Sequence, residues 1–183
     1  MIITIWWEDA RQAVRPKIYG PDQLLAACVA DELSCSLKEV ERVVCGHPLK
    51  SAGNVMRCLR DDVPNLKLGP LCAVLDHDKV LALWSPQERP PPCKRSISAA
   101  IRAQAPGECG LVLLVENMET LVAAACRAMG RPVPPEKRPT ERDRALQALA
   151  FLGTADRRRR VRDEVDGFDR LVTWTVGVMK DVR

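Results

Sequence analysis

The stretch Leu71-Cys72-Ala73-Val74-Leu75-Asp76-His77-Asp78 decides the fold of this chain. Five apolar residues follow one another without a polar interruption and give way to two carboxylates that flank a histidine. A short continuous apolar run is typical of a β-strand that is covered on both faces, as the strands of parallel sheets are. The sequence therefore predicts a buried strand whose carboxyl end presents Asp76 and Asp78.

Segments on either side of this strand repeat the pattern. Leu111–Val115 is a second apolar run, which leads into Glu116, and the β-branched and aromatic run Ile2–Trp7 leads into Glu8. A further strand is predicted at Val40–Cys45. Helical spacing of apolar residues predicts helices over 21–33, 50–63, 95–104 and 119–129. This alternation predicts an α/β fold, with a mostly parallel sheet of about four strands and helices on both faces.

The C-terminal part of the chain has a different composition. Arg131–Thr140 is rich in proline and reads as a linker, and helices are predicted over 141–152 and about 161–180, on either side of Arg157–Arg160. Between residues 136 and 162, nine Lys or Arg stand against four Asp or Glu, a net charge of +5 against +4 for the whole chain. We therefore expect an α/β domain over 1–130, followed by a linker and C-terminal helices over 131–183.

Composition excludes several classes of protein. The chain has 183 residues, of which 46% are hydrophobic and 28% charged, as in an ordinary globular domain rather than a disordered chain. Aromatic residues make up only 4%, too few for a surface that stacks single-stranded bases. The longest apolar runs are far shorter than the roughly 20 residues of a membrane-spanning helix, and the N-terminus has no basic region of a signal peptide.

The cysteines indicate the compartment. None of the eight lies two to four residues from another, so the close ligand pairs of a structural zinc site are missing from the sequence. Several lie inside apolar runs, which favours buried thiols over disulfides. This usage predicts a reducing cytoplasmic environment.

Acidic residues follow three of the predicted strands. Because the carboxyl ends of parallel strands meet at one edge of a sheet, we expect Glu8, Asp76, Asp78 and Glu116 to gather there, where α/β sheets bind ligands. Such a set of hard oxygen donors suits Mg²⁺ or Mn²⁺. The other interpretation is structural, since Asp is common where a strand turns into a loop. The sequence contains neither a glycine-rich phosphate loop after the first strand nor a Gly-x-Ser-x-Gly elbow.

The order strand–Glu8, helix, strand, helix, strand–Asp76-x-Asp78, helix, strand, helix resembles the Toprim domain of topoisomerases, primases and the overcoming-lysogenisation-defect class of nucleases. The resemblance covers residues 1–130. It implies that Glu8, Asp76 and Asp78 hold magnesium for phosphoryl transfer. The run Glu116-Asn117-Met118-Glu119 is similar to a segment of the nuclease-type members, which implies a place for Glu116 or Glu119 near the metal.

Three functions are consistent with these observations. The first is a metal-dependent phosphodiesterase or nuclease in which Glu8, Asp76, Asp78 and Glu116 form the catalytic centre. Basic residues would hold the nucleic acid, namely Lys50, Lys79, Arg157, Arg158, Arg159 and Arg160. The second is a non-catalytic Toprim-like subunit of a larger bacterial assembly, for example one for phage defence, because Asp9-Ala10 stands where the family has glycine after its first glutamate. A homo-oligomer or a protein partner is compatible with either of these two functions. The third function is that of a receiver-like domain that accepts a phosphate group.

Overall fold

The computed structural model describes residues 2–8, 20–61, 69–76, 79–80, 109–114, 118–133 and 153–181. Its strands are β1 (Ile3–Trp7), β2 (Val44–Pro48), β3 (Leu71–Asp76) and β4 (Cys109–Leu114). They lie in the order β2-β1-β3-β4, and each neighbouring pair is parallel. The prediction of an α/β fold with a parallel sheet is confirmed.

Helices account for most of the remaining described residues. They are α1 (Gly20–Leu33), α2 (Leu37–Glu41), α3 (Ala52–Asp61), α4 (Met118–Ala128), α5 (Ala155–Glu164) and α6 (Asp166–Asp181). The backbone is also helical at Lys79 and Val80, just after β3. The helices predicted over 95–104 and 141–152 lie outside the described residues.

The period-2 alternation of strand side chains divides the core between the two faces of the sheet. Ile3, Ile5 and Trp7 of β1 pack on one face with residues of α1, α4, α5 and α6. Trp6 of β1 packs on the other face with residues of α3 and with Val80. All six residues of β3 are buried, as expected for a central strand covered on both sides.

The C-terminal helices belong to the core on the face of the sheet that carries Ile3, Ile5 and Trp7, which we call the first face. Phe168 and Leu171 of α6 are fully buried in the same cluster as the β1 side chains. The ring of Trp174 lies so close to β4 that a Cβ on Gly110 would come within 2.6 Å of it. Residues 153–181 therefore complete the sheet's own core, while a domain boundary near residue 130 stays a prediction.

The second strand lies later in the chain than predicted. Instead of a strand over Val40–Cys45, the chain forms α2 and then begins β2 at Val44. A capping box starts the helix: the Ser36 hydroxyl accepts from the Glu39 N–H, and the Glu39 carboxylate accepts from the Ser36 N–H. Because these two bonds satisfy donors at the helix start, the local sequence favours one helical turn over an extended strand.

The helix predicted over 161–180 is two helices. Thr154 caps α5 by accepting from the Arg157 N–H, so the run Arg157–Arg160 lies within a helix and not between two. The helical backbone is interrupted at Val165, with φ −120° and ψ 85°, and α6 begins at Asp166. Val165 is fully buried, which places the bend against the core.

Two further expectations concern the burial of the cysteines and the absence of membrane-spanning helices. Among the described cysteines, Cys28, Cys72 and Cys126 are buried, as their apolar neighbours in the sequence predict, and Cys58 is buried as well. Within the described part of the chain, no helix has the length and apolar character needed to cross a bilayer.

Candidate functional site

A topological switch point lies at the centre of the sheet, between β1 and β3, where the direction in which successive strands are added reverses. From β1 the chain continues to β2 on one side, and from β3 it continues to β4 on the other. The helix after β1 packs on one face of the sheet, whereas Val80, just after β3, packs on the opposite face. Ligands of α/β proteins bind in the crevice that such a reversal opens beyond the carboxyl ends of the strands.

Glu8 and Asp76 lie side by side at this point. Glu8 follows the last residue of β1, and Asp76 is the last residue of β3. Their relative exposures are only 6% and 4%, far below those of ordinary surface carboxylates. Glu8 Oε2 accepts a hydrogen bond of 2.7 Å from the backbone N–H of Asp76, and the Glu8 N–H donates to the Val74 carbonyl at 3.1 Å. The structure thus brings together two of the predicted site residues.

Lys79 lies against both carboxylates. Its Nζ is 2.8 Å from Asp76 Oδ2 and 3.5 Å from Glu8 Oε1. Its side chain is 56% exposed, whereas the two carboxylate side chains are each 5% exposed. Sequence reasoning expected Lys79 to meet a substrate phosphate, but here it is the counter-ion of the acidic pair.

Burial dominates the protonation of Glu8. Loss of solvent, together with the charge of Asp76, raises the pKa of Glu8 to about 7, and the hydrogen bond from the Asp76 N–H and the interaction with Lys79 oppose this rise. Glu8 Oε1 is buried and has no hydrogen-bond partner among the described residues, since the 3.5 Å to Lys79 Nζ is an ion-pair contact only. An oxygen in this state has unused capacity to accept a proton or bind a cation.

The residues present suit a hard divalent ion in part. Two carboxylates from neighbouring strands, one with an unsatisfied oxygen, are the donors that Mg²⁺ and Mn²⁺ prefer. Within the described residues, however, no group of three or more His, Cys, Asp or Glu side chains could hold a metal ion. The other predicted ligands, Asp78 and Glu116, lie outside the described residues.

The basic residues predicted to hold nucleic acid lie at different edges of the sheet. Lys50 is exposed just beyond the carboxyl end of β2, in the left-handed conformation with φ 73°. Arg158 instead bonds to Asp31, near the end of α1. Because the 14 residues of α1 span about 21 Å back from the carboxyl edge, α5 lies toward the amino ends of the strands. The arginine run therefore does not lie beside Glu8 and Asp76.

Sequence reasoning missed Asp22. Its Oδ1 accepts a 2.5 Å hydrogen bond from Nε1 of the fully buried Trp7, and burial raises the pKa of Asp22 to about 7 against that bond. The carboxylate fits only because position 46 is glycine: a Cβ there would overlap it. An acidic residue in the first turn of a helix is ordinary, so the sequence carried no signal for this contact.

Comparison of the chain with protein-family models, curated proteins and solved structures found no match. The grounds for assigning a function are therefore the buried acidic pair at the sheet edge and the order of strands and acidic residues in the chain.

Proposed function

We propose that this chain is a Toprim-like, metal-dependent phosphodiesterase acting on nucleic acid, with Glu8, Asp76 and Asp78 as ligands of Mg²⁺ or Mn²⁺. One observation carries the proposal: two buried acidic residues lie side by side at the switch point of a parallel sheet, joined by the hydrogen bond from the Asp76 N–H to Glu8 Oε2, and Glu8 Oε1 has no hydrogen-bond partner among the described residues. Burying two acids together is costly unless positive charge compensates them; Lys79 supplies that charge here, and a divalent ion would supply it in its place.

The acidic residues would have two tasks, to bind the ion and to orient the attacking water. Glu8, Asp76 and Asp78 would bind the ion, and the hydrogen bond from the Asp76 N–H to Glu8 would fix the orientation of that pair. When bound, the ion would polarise the phosphodiester and lower the pKa of a water nucleophile. Asp76 is in register with Leu114 of β4, two residues before Glu116, which supports Glu116 as the residue that orients the water.

The activity is tested by incubating the protein with plasmid, single-stranded DNA and RNA in Mg²⁺ or Mn²⁺. We expect cleavage that EDTA stops and that Glu8→Gln and Asp76→Asn abolish. Asp156→Asn is the matched control, because Asp156 is an exposed acid of α5, and it should cleave like the wild type. Cleavage that persists in Asp76→Asn would assign the activity elsewhere.

Lys79 favours a second candidate, a non-catalytic subunit of a larger bacterial assembly such as one for phage defence. Its ammonium already compensates the acidic pair, so the site is stable without a metal ion. This candidate predicts no hydrolysis of any of the three substrates and no thermal stabilisation by Mg²⁺ or Mn²⁺. It also predicts co-purification with a protein partner when the tagged chain is expressed in its own host.

The arginine run supplies the proposed contact with the nucleic-acid backbone. Arg157, Arg159 and Arg160 are exposed, whereas Arg158 is tied to Asp31 through two hydrogen bonds. Phosphate contacts release counter-ions, so affinity falls with salt by about 0.9 logarithmic units per contact and per tenfold change in salt.

The test is a gel-shift salt series on duplex DNA with the wild type and with a triple Arg→Ala variant at 157, 159 and 160. Arg158 stays in place so that α5 keeps its packing. We expect a shallower slope in the triple variant and an unchanged slope in Lys180→Ala, which removes an exposed lysine of α6. Equal slopes throughout would contradict a role in nucleic-acid binding and favour a protein partner for this surface.

A further inference from the structure

We propose that Lys79 is a tethered competitor of the divalent cation: a metal ion binds Glu8 and Asp76 only by displacing the Lys79 ammonium, so Lys79 sets the metal affinity of the site. This inference rests on the proposed metal site and adds a residue that controls it.

The geometry places the ammonium where a cation has to be. Nζ is 2.8 Å from Asp76 Oδ2 and 3.5 Å from Glu8 Oε1, so it contacts oxygens supplied by two different strands. A divalent ion that uses the same two oxygens would lie next to this positive charge. The like charges repel in a partly buried site, which makes the two occupants mutually exclusive.

Lys79 is the partner that is able to move. Its side chain is 56% exposed and ends a flexible four-carbon stem on the helical turn after β3. Glu8 is held by the hydrogen bond from the Asp76 N–H, and both carboxylates are almost completely buried. Displacement therefore takes the ammonium out toward solvent and leaves the carboxylates in place.

Tethering also makes the site selective for the charge of the ion. A monovalent cation brings the same charge as Lys79 but has to compete with a group held at high effective concentration by its short connection to Asp76. A divalent ion brings twice the charge and gains correspondingly more from the acidic pair. The site is expected to ignore Na⁺ and K⁺ and to admit Mg²⁺ or Mn²⁺.

Binding of MnCl₂ alone, measured by isothermal titration calorimetry on the full chain, tests the inference without any substrate. Lys79→Met keeps the length of the side chain and removes its charge, and it should lower the Mn²⁺ dissociation constant about tenfold, or about 1.4 kcal/mol. Lys38→Met removes an exposed lysine of α2 and should bind Mn²⁺ like the wild type. Lys79→Arg keeps the charge and should also stay close to the wild type.

The outcomes separate this inference from the proposed function. Mn²⁺ binding by the wild type with no gain in Lys79→Met would overturn the competition while leaving the metal site standing. Equal gains in Lys79→Met and Lys79→Arg would also overturn it, because charge would then not be the cause. Binding only in Lys79→Met would support the competition and favour the non-catalytic function for the wild type. No binding in any folded variant, checked by circular dichroism, would overturn both.

Discussion

Burial raises the pKa of two carboxyl groups of this protein, Glu8 and Asp22, above the ordinary values of their residue types. Glu8 and Asp22 both have a pKa raised to about 7, chiefly because each has lost solvent on the packed sheet. Each also accepts one hydrogen bond, from the Asp76 N–H and from the Trp7 indole respectively, and these bonds oppose the rise. Near neutral pH both groups are therefore partly protonated.

The raised pKa of Glu8 makes stability depend on pH. The unfolded chain loses this proton near the ordinary value of 4.5, whereas the folded chain keeps it to about 7. Between these values the folded state binds more protons, so the free energy of unfolding decreases as pH rises. As the pH rises from about 4.5 to about 8, the free energy of unfolding of Glu8→Gln, measured with urea, should increase by about 3 kcal/mol relative to that of the wild type.

A matched substitution identifies the source of this pH dependence. Glu41→Gln changes an exposed glutamate at the end of α2 and should give a profile parallel to that of the wild type. A constant offset between Glu8→Gln and the wild type across the same range would show that Glu8 titrates normally. Asp22 contributes in the same direction, so the slope of Glu8→Gln should be reduced but not zero.

Position 46 requires glycine because the Asp22 carboxylate occupies the place of a Cβ, and not because of its own backbone conformation. In Gly46→Ala the new methyl would overlap that carboxylate, which has to move and release the Trp7 indole. We expect a loss of about 2 kcal/mol in the free energy of unfolding. The loss should be much smaller in an Asp22→Ala background, because the overlap is then gone.

Gly177→Ala is the corresponding control within α6, where a Cβ would meet no atom within 4 Å. It should stabilise the protein by up to about 1 kcal/mol through helix propensity. If Gly46→Ala costs the same with and without Asp22, the contact between these two positions does not determine the effect.

At the scale of elements, ion pairs hold α5 to the helices beside it. Arg158 near the start of α5 bonds to Asp31 of α1, and Glu164 at its end pairs with Arg127 of α4. Arg162, between them, pairs with Glu32 of α1 and with Asp169 of α6. Some charged residues of α5 thus attach this helix to its neighbours, and others, such as Arg157 and Arg160, form an exposed basic surface.

A double-mutant cycle measures this attachment. Arg158 contacts Asp31 through two nitrogens at 2.6 and 2.7 Å, and the side chains are 15% and 32% exposed. Substituting both by Ala should give a coupling energy of about 1 kcal/mol in urea unfolding, within the range of well-oriented bidentate pairs. The pair Arg159 and Asp156, 3.9 Å apart and 73% and 85% exposed, should show almost none. Equal coupling in both pairs would contradict a specific attachment through Arg158.

At the scale of the whole molecule, the first face of the sheet is covered by helices from both ends of the chain. Side chains of α1 and of α6 lie in one cluster with those of β1, and Trp174 lies over Gly110 of β4. One continuous core unfolds as a unit, so residues 153–181 are expected to melt together with the sheet.

Phe168→Ala tests this shared core. Phe168 is fully buried, and its removal should cost about 4 kcal/mol. Tryptophan fluorescence, which reports on all four tryptophans of the chain and so on Trp6, Trp7 and Trp174 of this core, should then shift to lower urea together with the far-ultraviolet circular dichroism. Val133→Ala changes a side chain that is 47% exposed and should stay within about 0.5 kcal/mol of the wild type. A separate early transition confined to part of the signal would indicate an independent C-terminal unit.

Periodicity and strand-end chemistry could be predicted because they are local. The apolar run ending in Asp76 gave the buried central strand, and Glu8 was placed correctly at the end of β1, since parallel strands bring their carboxyl ends together. The strand predicted over Val40–Cys45 begins only at Val44, because the Ser36–Glu39 capping box starts helix α2 in front of it.

By itself, then, the sequence determined the α/β class, the parallel sheet and the acids that follow its strands, because these depend on side-chain period and on residues adjacent in the chain. Only the tertiary structure decided which groups face each other across the chain. Asp22 meets Trp7 and Gly46, Lys79 compensates the acidic pair, and Arg158 turns to Asp31. Such contacts depend on strand order, helix orientation and burial, which are properties of the packed molecule and leave no periodic signal in the chain.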